Sequence, residues 1–410
     1  MRKMKDSGIE WIGKIPEGWE VKRLRYLCDI VTGTKDTIDN NPEGKYPFYV
    51  RSPIVERIDS YSFYGEAILT AGDGVGAGKV FHYVNGKFNF HQRVYNLHNF
   101  EGVNGKFLYY YLKENFYKEI ESGSAKNTVD SIRLPMLQNY VVPCPNDLNE
   151  QYRIADYLDK KCEEIDLVIK AKETTNEKLK EYRQSIIYEA VTKGLDKNVP
   201  MKDSGIEWIG EIPEGWEVKK LKYIGESIIG ITYSPDDICD EGLLVLRSSN
   251  VQNGKISYED NVYVSKEVTE KMLVKLNDIL ICSRNGSKEL IGKCALIDKE
   301  SENSTFGAFM TVFRSEANRY IYYIFNSPIF NYHIGTFLTT TVNQLTIGNL
   351  NNFVIPIPKS ETEQQQIADF LDQKCLQIDS VISANEKTIE KLKEYRQSVI
   401  YEAVTGKMGI

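Results

Sequence analysis

The sequence predicts an α+β fold in which two globular α/β domains are joined by two long antiparallel helices that form a coiled coil. The whole chain is then a pseudo-two-fold internal repeat. Three observations carry this prediction. Two blocks of sequence each occur twice, a helical block follows each globular segment, and the globular segments contain short strand patterns separated by turns.

The first repeated block opens each half of the chain. Residues 4–26, MKDSGIEWIGKIPEGWEVKRLRY, recur as residues 201–223 with three substitutions. All four tryptophans of the chain lie in these two copies. Such close repetition fixes a two-copy architecture before any single motif is considered.

Between the repeated blocks lie two dissimilar globular segments, at about 30–128 and 227–341, whose patterns indicate mixed α/β structure. The alternating run at 79–84 precedes Asn85 and Gly86, a pair typical of tight hairpin turns. We therefore expect a strand that enters a tight turn at this pair.

The globular segments also contain glycine-rich stretches and aromatic runs. Residues 72–78 and 283–288 are predicted to be loops, because glycine permits backbone conformations that other residues avoid. The aromatic runs at 107–112 and 320–325 each predict a short amphipathic helix.

The second repeated block is a long helix. Residues 177–192 recur as 390–405 with one substitution, and the stretch before each copy, 150–166 and 363–379, is also similar. Apolar residues at steps of three or four indicate a coiled-coil seam, and a helix of this length, roughly 65 Å, is too long for one small domain to bury. The two helices are therefore expected to pair, the alternative being that each packs on its own domain. The residues predicted to pair the helices are Ile154, Leu158, Cys162, Ile165, Leu179, Ile186, Ile367, Leu371, Cys375, Ile378, Leu392 and Val399, and the same stripe includes Tyr182 and Tyr395.

These blocks divide the chain into four segments. The first globular domain is expected at 1–148, a central repeated helix with its linker at 149–198, the second globular domain at 199–361, and the C-terminal repeated helix at 362–410. The intervening segment is 16 residues longer in the second copy, since the offset between copies rises from 197 to 213.

Composition places the chain among ordinary globular proteins. It has 410 residues, of which 41% are hydrophobic and 27% charged, and no apolar run approaches the ~18 residues of a membrane span. The N-terminus lacks the apolar core of a signal peptide, so a cytoplasmic location is expected. The net charge of -7 argues against bulk attraction to polyanions but permits a local basic face. The seven scattered cysteines form no Cys-x-x-Cys pair and are expected to be reduced and mostly buried.

Motifs for catalysis are incomplete in this sequence. The glycine loop that ends at Lys79 has Asp73 in place of the first glycine of a phosphate loop and Val80 in place of Ser or Thr. A DNA adenine methyltransferase would need a Pro-Pro tetrad, and the chain contains no Pro-Pro. The four histidines form no metal-binding pair at helical spacing. We therefore expect neither a catalytic centre nor a metal site.

The contrast between repeated and unlike segments points to one kind of partner bound twice and two different targets. Arginine and lysine offer donors to guanine, and asparagine and glutamine match the donor and acceptor of adenine. The candidate DNA-binding residues of this kind are Thr34, Lys35, Arg51, Lys79, Gln92, Arg93, Lys126 and Asn127 in the first domain, and Tyr233, Arg247, Asn250, Arg284, Asn285, Lys288, Asn343 and Gln344 in the second.

The order of these segments resembles the specificity subunit of type I restriction-modification systems. The resemblance rests on a variable domain, a Glu-Gln-x-x-Ile-Ala-Asp-x-Leu-Asp helix, a second variable domain and the same helix again. The two IPEGWEVKxLxY segments fit the same family. The resemblance covers essentially the whole chain.

This resemblance implies a non-catalytic subunit that binds double-stranded DNA. Each variable domain would be a target-recognition domain for one half of a bipartite asymmetric site, and the helices would set the spacing and dock two methyltransferase (modification) subunits. The chain would hold no cofactor, since S-adenosylmethionine, ATP and magnesium would belong to the modification and restriction/translocase subunits. Two other interpretations of the residues stay open, namely a coiled-coil protein–protein adaptor with two ligand-binding heads and a self-contained DNA-modifying enzyme.

Overall fold

The computed structural model describes residues 2–123, 131–337 and 344–410. The chain divides into two compact units. The first consists of Met1–Glu173 with Glu386–Ile410, and the second is Thr174–Asn385. Each unit therefore contains a globular domain and one end of each long helix. The four segments predicted from the sequence are instead contiguous stretches of the chain, in which each long helix is a segment of its own.

The first unit is built around a six-stranded mixed sheet. The strands of the first unit are β1 (Met4–Asp6), β2 (Lys14–Pro16), β3 (Trp19–Arg23), β4 (Asp29–Thr32), β5 (Tyr46–Tyr49), β6 (Val55–Ile58), β7 (Phe63–Ala71), β8 (Phe81–Phe90), β9 (Val94–His98) and β10 (Val141–Pro145). The sheet has the order β4-β9-β7-β8-β5-β6, in which β5 and β8 run parallel and the other neighbours antiparallel. Separately, β1 pairs with β2 and β3 pairs with β10.

The tight turn predicted at Asn85 and Gly86 is wrong, because β8 continues through both residues. In the antiparallel ladder of β7 and β8, Gly86 lies opposite Gly65. Phe88 is fully buried beyond this point, so burial of the aromatic side chain and the continued ladder outweigh the local turn preference of the Asn-Gly pair.

Three helices begin in the first unit: α1 (Gly105–Gly123), α2 (Leu134–Asn139) and α3 (Leu148–Lys193), of which α3 ends in the second unit. The helix predicted at the first aromatic run is confirmed as part of α1. A polar contact ties α1 to α3, because Tyr110 donates its hydroxyl to Asp159 at 2.9 Å and Lys106 forms an ion pair with the same carboxylate.

The second unit contains two four-stranded sheets. Its strands are β11 (Met201–Asp203), β12 (Glu211–Pro213), β13 (Trp216–Lys220), β14 (Glu226–Ile229), β15 (Ile238–Cys239), β16 (Leu243–Leu246), β17 (Val251–Gln252), β18 (Lys255–Ile256), β19 (Tyr263–Val264), β20 (Ile279–Cys282), β21 (Cys294–Leu296), β22 (Thr305–Phe306), β23 (Met310–Arg314) and β24 (Val354–Pro358). The sheets have the orders β14-β23-β20-β21 and β15-β19-β16-β22. The pairs β11-β12 and β13-β24 repeat β1-β2 and β3-β10 of the first unit.

The helices that begin in the second unit are α4 (Asn318–Phe325), α5 (Pro328–Phe337), α6 (Ile347–Asn352) and α7 (Glu361–Val404), of which α7 ends in the first unit. The helix predicted at the second aromatic run is confirmed as α4. Tyr323 of α4 donates its hydroxyl to Asp372 of α7 at 2.5 Å, and Arg319 forms an ion pair with the same carboxylate. This contact is the counterpart of the one between α1 and α3.

A tryptophan joins strand and helix in the same way in both units. The indole nitrogen of Trp19 in β3 donates to Glu150 of α3 at 3.2 Å. Trp216 in β13 donates to Glu363 of α7 at 2.8 Å. Both tryptophans are buried, so the repeated sequence blocks form one frame that is used twice.

The two long helices pair antiparallel within each unit. In the first unit Arg396 lies 3.3 Å from Asp166. In the second unit Arg183 lies 3.6 Å from Asp379, so that in both units a late residue of one helix meets an early residue of the other. The predicted antiparallel pairing is confirmed.

The apolar seam serves the domains as well as the helix pair. Leu158 belongs to the same core as Phe107 of the first domain and Val399 of α7. Most of the predicted pairing residues are buried, while Leu179, Ile186 and Leu392 are partly buried. The placement of Tyr182 and Tyr395 in the seam is wrong, since these side chains are 58% and 50% exposed. Over the residues described, no helix combines the length and apolar character needed to cross a bilayer.

Candidate nucleic-acid interface

Three loops of the first unit meet around one carboxylate. Asp73, in the loop after β7, accepts a hydrogen bond from Nη1 of Arg51 at 3.0 Å and from Nη1 of Arg93 at 2.6 Å. Arg51 follows β5, and Arg93 precedes β9. We call these three residues the first loop cluster. Two predicted DNA-binding residues are thus brought together by an acid that the sequence analysis did not select.

The turn that carries Arg93 is itself held by polar contacts. The backbone N–H of Arg93 donates to Nδ1 of the buried His91 at 3.0 Å. Asp36 lies 3.5 Å from Nε2 of His91 and accepts a hydrogen bond from the side chain of Gln92. Lys35, next to Asp36, donates to Asp39 at 3.2 Å. Four of the predicted residues, Lys35, Arg51, Gln92 and Arg93, therefore have carboxylate partners.

The carboxylate of Asp73 is ionised at neutral pH. Partial burial would raise its pKa, but the hydrogen bonds and positive charges of Arg51 and Arg93 outweigh burial and lower the pKa below the usual range. The side chains of Arg51 and Arg93 are 43% and 60% exposed, whereas that of Asp73 is 19% exposed. The cluster thus presents two charged guanidinium groups over a shielded acid.

Of the remaining candidates of the first domain, two are described by the structure and two are not. Lys79 lies 4.3 Å from the ring centroid of Tyr117, in a cation–π contact. Thr34 is exposed before Lys35. Lys126 and Asn127 lie outside the described residues.

Exposed apolar side chains flank the first loop cluster. Val75, two residues after Asp73, is 94% exposed, and Ile54 is exposed in the loop after Arg51. Apolar side chains on the surface of recognition loops can contact the methyl group of thymine. Neither residue was among the predicted DNA-binding residues, which were chosen for side chains that hydrogen-bond to base edges.

Two candidates of the second unit, Tyr233 and Arg247, line an open cleft of about 600 Å³. Tyr233, Arg247 and Phe309 line it, together with Asp260, which binds Arg247 at 2.8 Å. Arg284 lies over the exposed ring of Phe309 at 5.4 Å from its centroid. The cleft therefore combines the exposed ring of Phe309 and the half-buried ring of Tyr233 with the guanidinium group of Arg247, a combination suited to bases and phosphates. Phe309 was not among the predicted residues.

Other candidates of the second unit have mainly structural contacts. Asn250 is fully buried, and its amide donates to the backbone oxygen of Ser257 at 3.0 Å. Its burial contradicts a role at a base edge, because the side chain cannot reach a ligand. Asn285 donates to Ser248 at 3.3 Å. The last candidates are Lys288, which is exposed, Gln344, which pairs with Arg284 through the backbone, and Asn343, which lies outside the described residues.

A family model of the type I restriction modification DNA specificity domain matches residues 16–182 and 213–394. The chain belongs to this family. The two matches include Trp19 with Glu150, Trp216 with Glu363 and the candidate DNA-binding residues of both domains, so the family assignment applies to each half of the chain separately.

Curated relatives carry the names of specificity subunits. The type I restriction enzyme MjaVIII specificity subunit of Methanocaldococcus jannaschii is 27% identical over 97% of this chain and 94% of its own length. The EcoKI specificity subunit of Escherichia coli strain K12 is 34% identical over 48% of this chain and 44% of its own length.

Solved structures share the fold of this specificity-domain chain. A chain from a study of complex assembly in the type I R-M system has a TM-score of 0.73 at 16% identity, over 96% of this chain and 99% of that one. The HsdS subunit of Thermoanaerobacter tengcongensis has a TM-score of 0.52 at 17% identity, over 96% and 98% of the two chains.

Among the described residues, no three His, Cys, Asp or Glu side chains are grouped to hold a metal ion. Six of the seven cysteines are buried and Cys239 is half-buried, as predicted. Burial raises the pKa of Cys144 to about 11, so this thiol stays protonated at neutral pH.

Proposed function

We propose that the chain is the DNA-reading subunit of a type I restriction-modification complex and that each globular domain reads one half of a bipartite, asymmetric site. Family membership supports the role of sequence recognition. The assignment of one half-site to each domain rests on the first loop cluster and the cleft of the second unit, which differ although the two frames are nearly identical.

The observation that carries this proposal is the contrast between frame and loops. Trp19 with Glu150 and Trp216 with Glu363 make the same contact in both units. The first unit places Arg51 and Arg93 over Asp73, whereas the second places Arg284 over the ring of Phe309 and Arg247 in the cleft that Phe309 also lines. The two similar frames suit two copies of the same protein partner, and the two different sets of loops suit two different half-sites.

The proposed partners follow from the duplicated frame. Two modification subunits would dock on the two equivalent frames and supply S-adenosylmethionine and adenine methylation. Restriction/translocase subunits would supply ATP- and magnesium-dependent steps in the same cytoplasmic complex. The specificity chain itself would bind and position DNA without performing chemistry, and its paired helices would set the distance between the half-sites.

Exchange of one domain tests the division of labour. Residues 30–128 are replaced by the corresponding segment of another family member, and the variant is assembled with the modification subunits. Sequencing of methylated adenines should then show one half-site changed and the other retained. The reciprocal exchange of residues 227–341 is the matched control and should change only the other half-site. Altered recognition in both halves after either exchange would contradict the proposal.

A further inference from the structure

The carboxylate of Asp73 lies beneath two exposed guanidinium groups that were predicted to contact bases. It binds Arg51 through Oδ1 and Arg93 through Oδ2, so one side chain fixes two arginines from different loops. An isolated surface arginine samples many rotamers, and fixing one on binding costs free energy. A carboxylate that holds both arginines before DNA arrives removes part of that cost.

We propose that Asp73 is a positioning residue for DNA specificity, which orients Arg51 and Arg93 so that they read bases of the first half-site. This inference rests on the proposed function of the first domain. Asp73 would not itself contact a base, since its carboxylate is shielded and both oxygens accept hydrogen bonds from the arginines.

The loop that carries Asp73 is held in place by its backbone. The N–H of Gly72 donates to the carbonyl of Arg93 at 2.8 Å, and the carbonyl of Gly72 accepts from the N–H of Ile132 at 2.8 Å. Asp73 forms a backbone bridge with Ser131. A Cβ at Gly72 would lie 2.9 Å from the carbonyl oxygen of Arg93, so glycine is needed for this close approach. The side chain of Asp73 can therefore be changed without removing the contacts that shape the loop.

The arrangement also explains an acid on a DNA-binding surface. A carboxylate repels phosphates and lowers affinity for DNA of any sequence. Here the two arginines outnumber the acid, so the cluster keeps a net positive charge. The carboxylate of Asp73 lowers the affinity for DNA of any sequence but orients the two arginines. This arrangement favours discrimination between sequences over overall affinity.

The substitution Asp73→Asn tests the inference in the complete complex. The substituted amide keeps one acceptor oxygen but presents N–H donors to the second guanidinium, so one arginine loses its support. We expect discrimination at one or two positions of the first half-site to fall roughly tenfold, within the range of a lost arginine–guanine contact. Affinity for unrelated DNA should stay equal or rise, because one negative charge is removed. The second half-site should be read as before.

The matched control is Asp29→Asn, which also removes one negative charge. Asp29 lies at the end of β4 that pairs with His98, away from Arg93 at the other end of β9. There Asp29 accepts a hydrogen bond from Asn99 at 2.8 Å and pairs with His98 in the sheet. This variant should leave discrimination at both half-sites unchanged. Asp73→Glu retains the charge and should recover part of the discrimination lost in Asp73→Asn.

Two measurements decide the outcome: methylated-adenine sequencing, and binding competition with duplexes altered at each position of the site. In a variant that lacks both Arg51 and Arg93, Asp73→Asn should have no further effect on discrimination. Discrimination within twofold of wild type in Asp73→Asn, or an equal loss in both half-sites, would overturn the inference. Wild-type complexes without sequence-specific methylation would instead refute the proposed function, so the two failures are distinguishable.

Discussion

At the scale of single residues, Arg93 is the side chain of the first loop cluster best placed to reach a base. It is 60% exposed, yet one of its terminal nitrogens is bound by Asp73. Arg93→Ala should relax the preference at one base pair of one half-site by about 1–3 kcal/mol, the range for a bidentate arginine–guanine contact. Competition binding with singly substituted duplexes measures this preference.

The conservative substitution Arg93→Lys separates base reading from charge. Lysine keeps the positive charge but cannot present the planar fork of a guanidinium, so the preference should still be lost while salt dependence is retained. A uniform loss of affinity across all sequences in Arg93→Ala would assign Arg93 to a phosphate instead.

The residues that sequence reasoning selected and those it missed differ in a physical way. Arg51 and Arg93 could be selected because their side chains match base edges. Asp73 could not, since its role appears only when two distant loops are brought to one carboxylate. Asn250 was selected for its chemistry, but sequence alone does not reveal that the side chain is buried inside its own loop.

At the scale of elements, each tryptophan of the frame ties a strand to the start of a long helix. Trp216→Phe removes the hydrogen bond from the indole to Glu363 while keeping most of the buried ring. The free energy of unfolding of the second unit should fall by about 1.5–3 kcal/mol, the range for a hydrogen bond to a charged group. Urea unfolding followed by hydrogen exchange reports this loss.

Glu363→Gln and Glu363→Ala provide the controls for the tryptophan. Glutamine retains an acceptor oxygen and should cost less than alanine. Trp216→Phe combined with Glu363→Ala should cost less than the sum of the two single changes, because both remove the same hydrogen bond. Strict additivity would show that the indole and the carboxylate do not stabilise each other.

Elements with long-range periodicity were predictable, and those set by sheet pairing were not. The long helices followed from apolar residues at steps of three or four over some forty positions. The turn expected at Asn85 and Gly86 rested on two residues, and pairing with β7 overrode it. Tyr182 and Tyr395 fit the helical stripe but lie at its exposed edge, because tyrosine tolerates a wet position that leucine would avoid.

At the scale of the whole molecule, each unit is completed by a segment distant in sequence. The core of the first unit contains Trp19 and Leu158 together with Val399 and Val404 of the C-terminal helix. The second unit likewise combines Ile187 of α3 with Leu371 of α7. Neither globular domain can therefore be separated from the helix pair without exposing apolar surface, which couples domain stability to helix pairing.

The length of the paired helices should determine the gap between the half-sites. Deleting one heptad from each helix, residues 171–177 and 385–391, shortens both by about 10 Å and turns each face by only about 20°. Because one turn of DNA spans about 34 Å and about 10.5 base pairs, the preferred gap should shorten by about three base pairs. Methylation should also become less efficient, since three base pairs turn the duplex by roughly 100° and the helices do not follow.

Deleting residues 171–177 alone is the control. The ion pairs Arg183–Asp379 and Arg396–Asp166 could then no longer both form in their native register, so assembly of the complex should fail, which circular dichroism and complex assembly would report. A doubly shortened complex that assembles and methylates sites with the original gap at wild-type efficiency would show that the helices do not set the spacing.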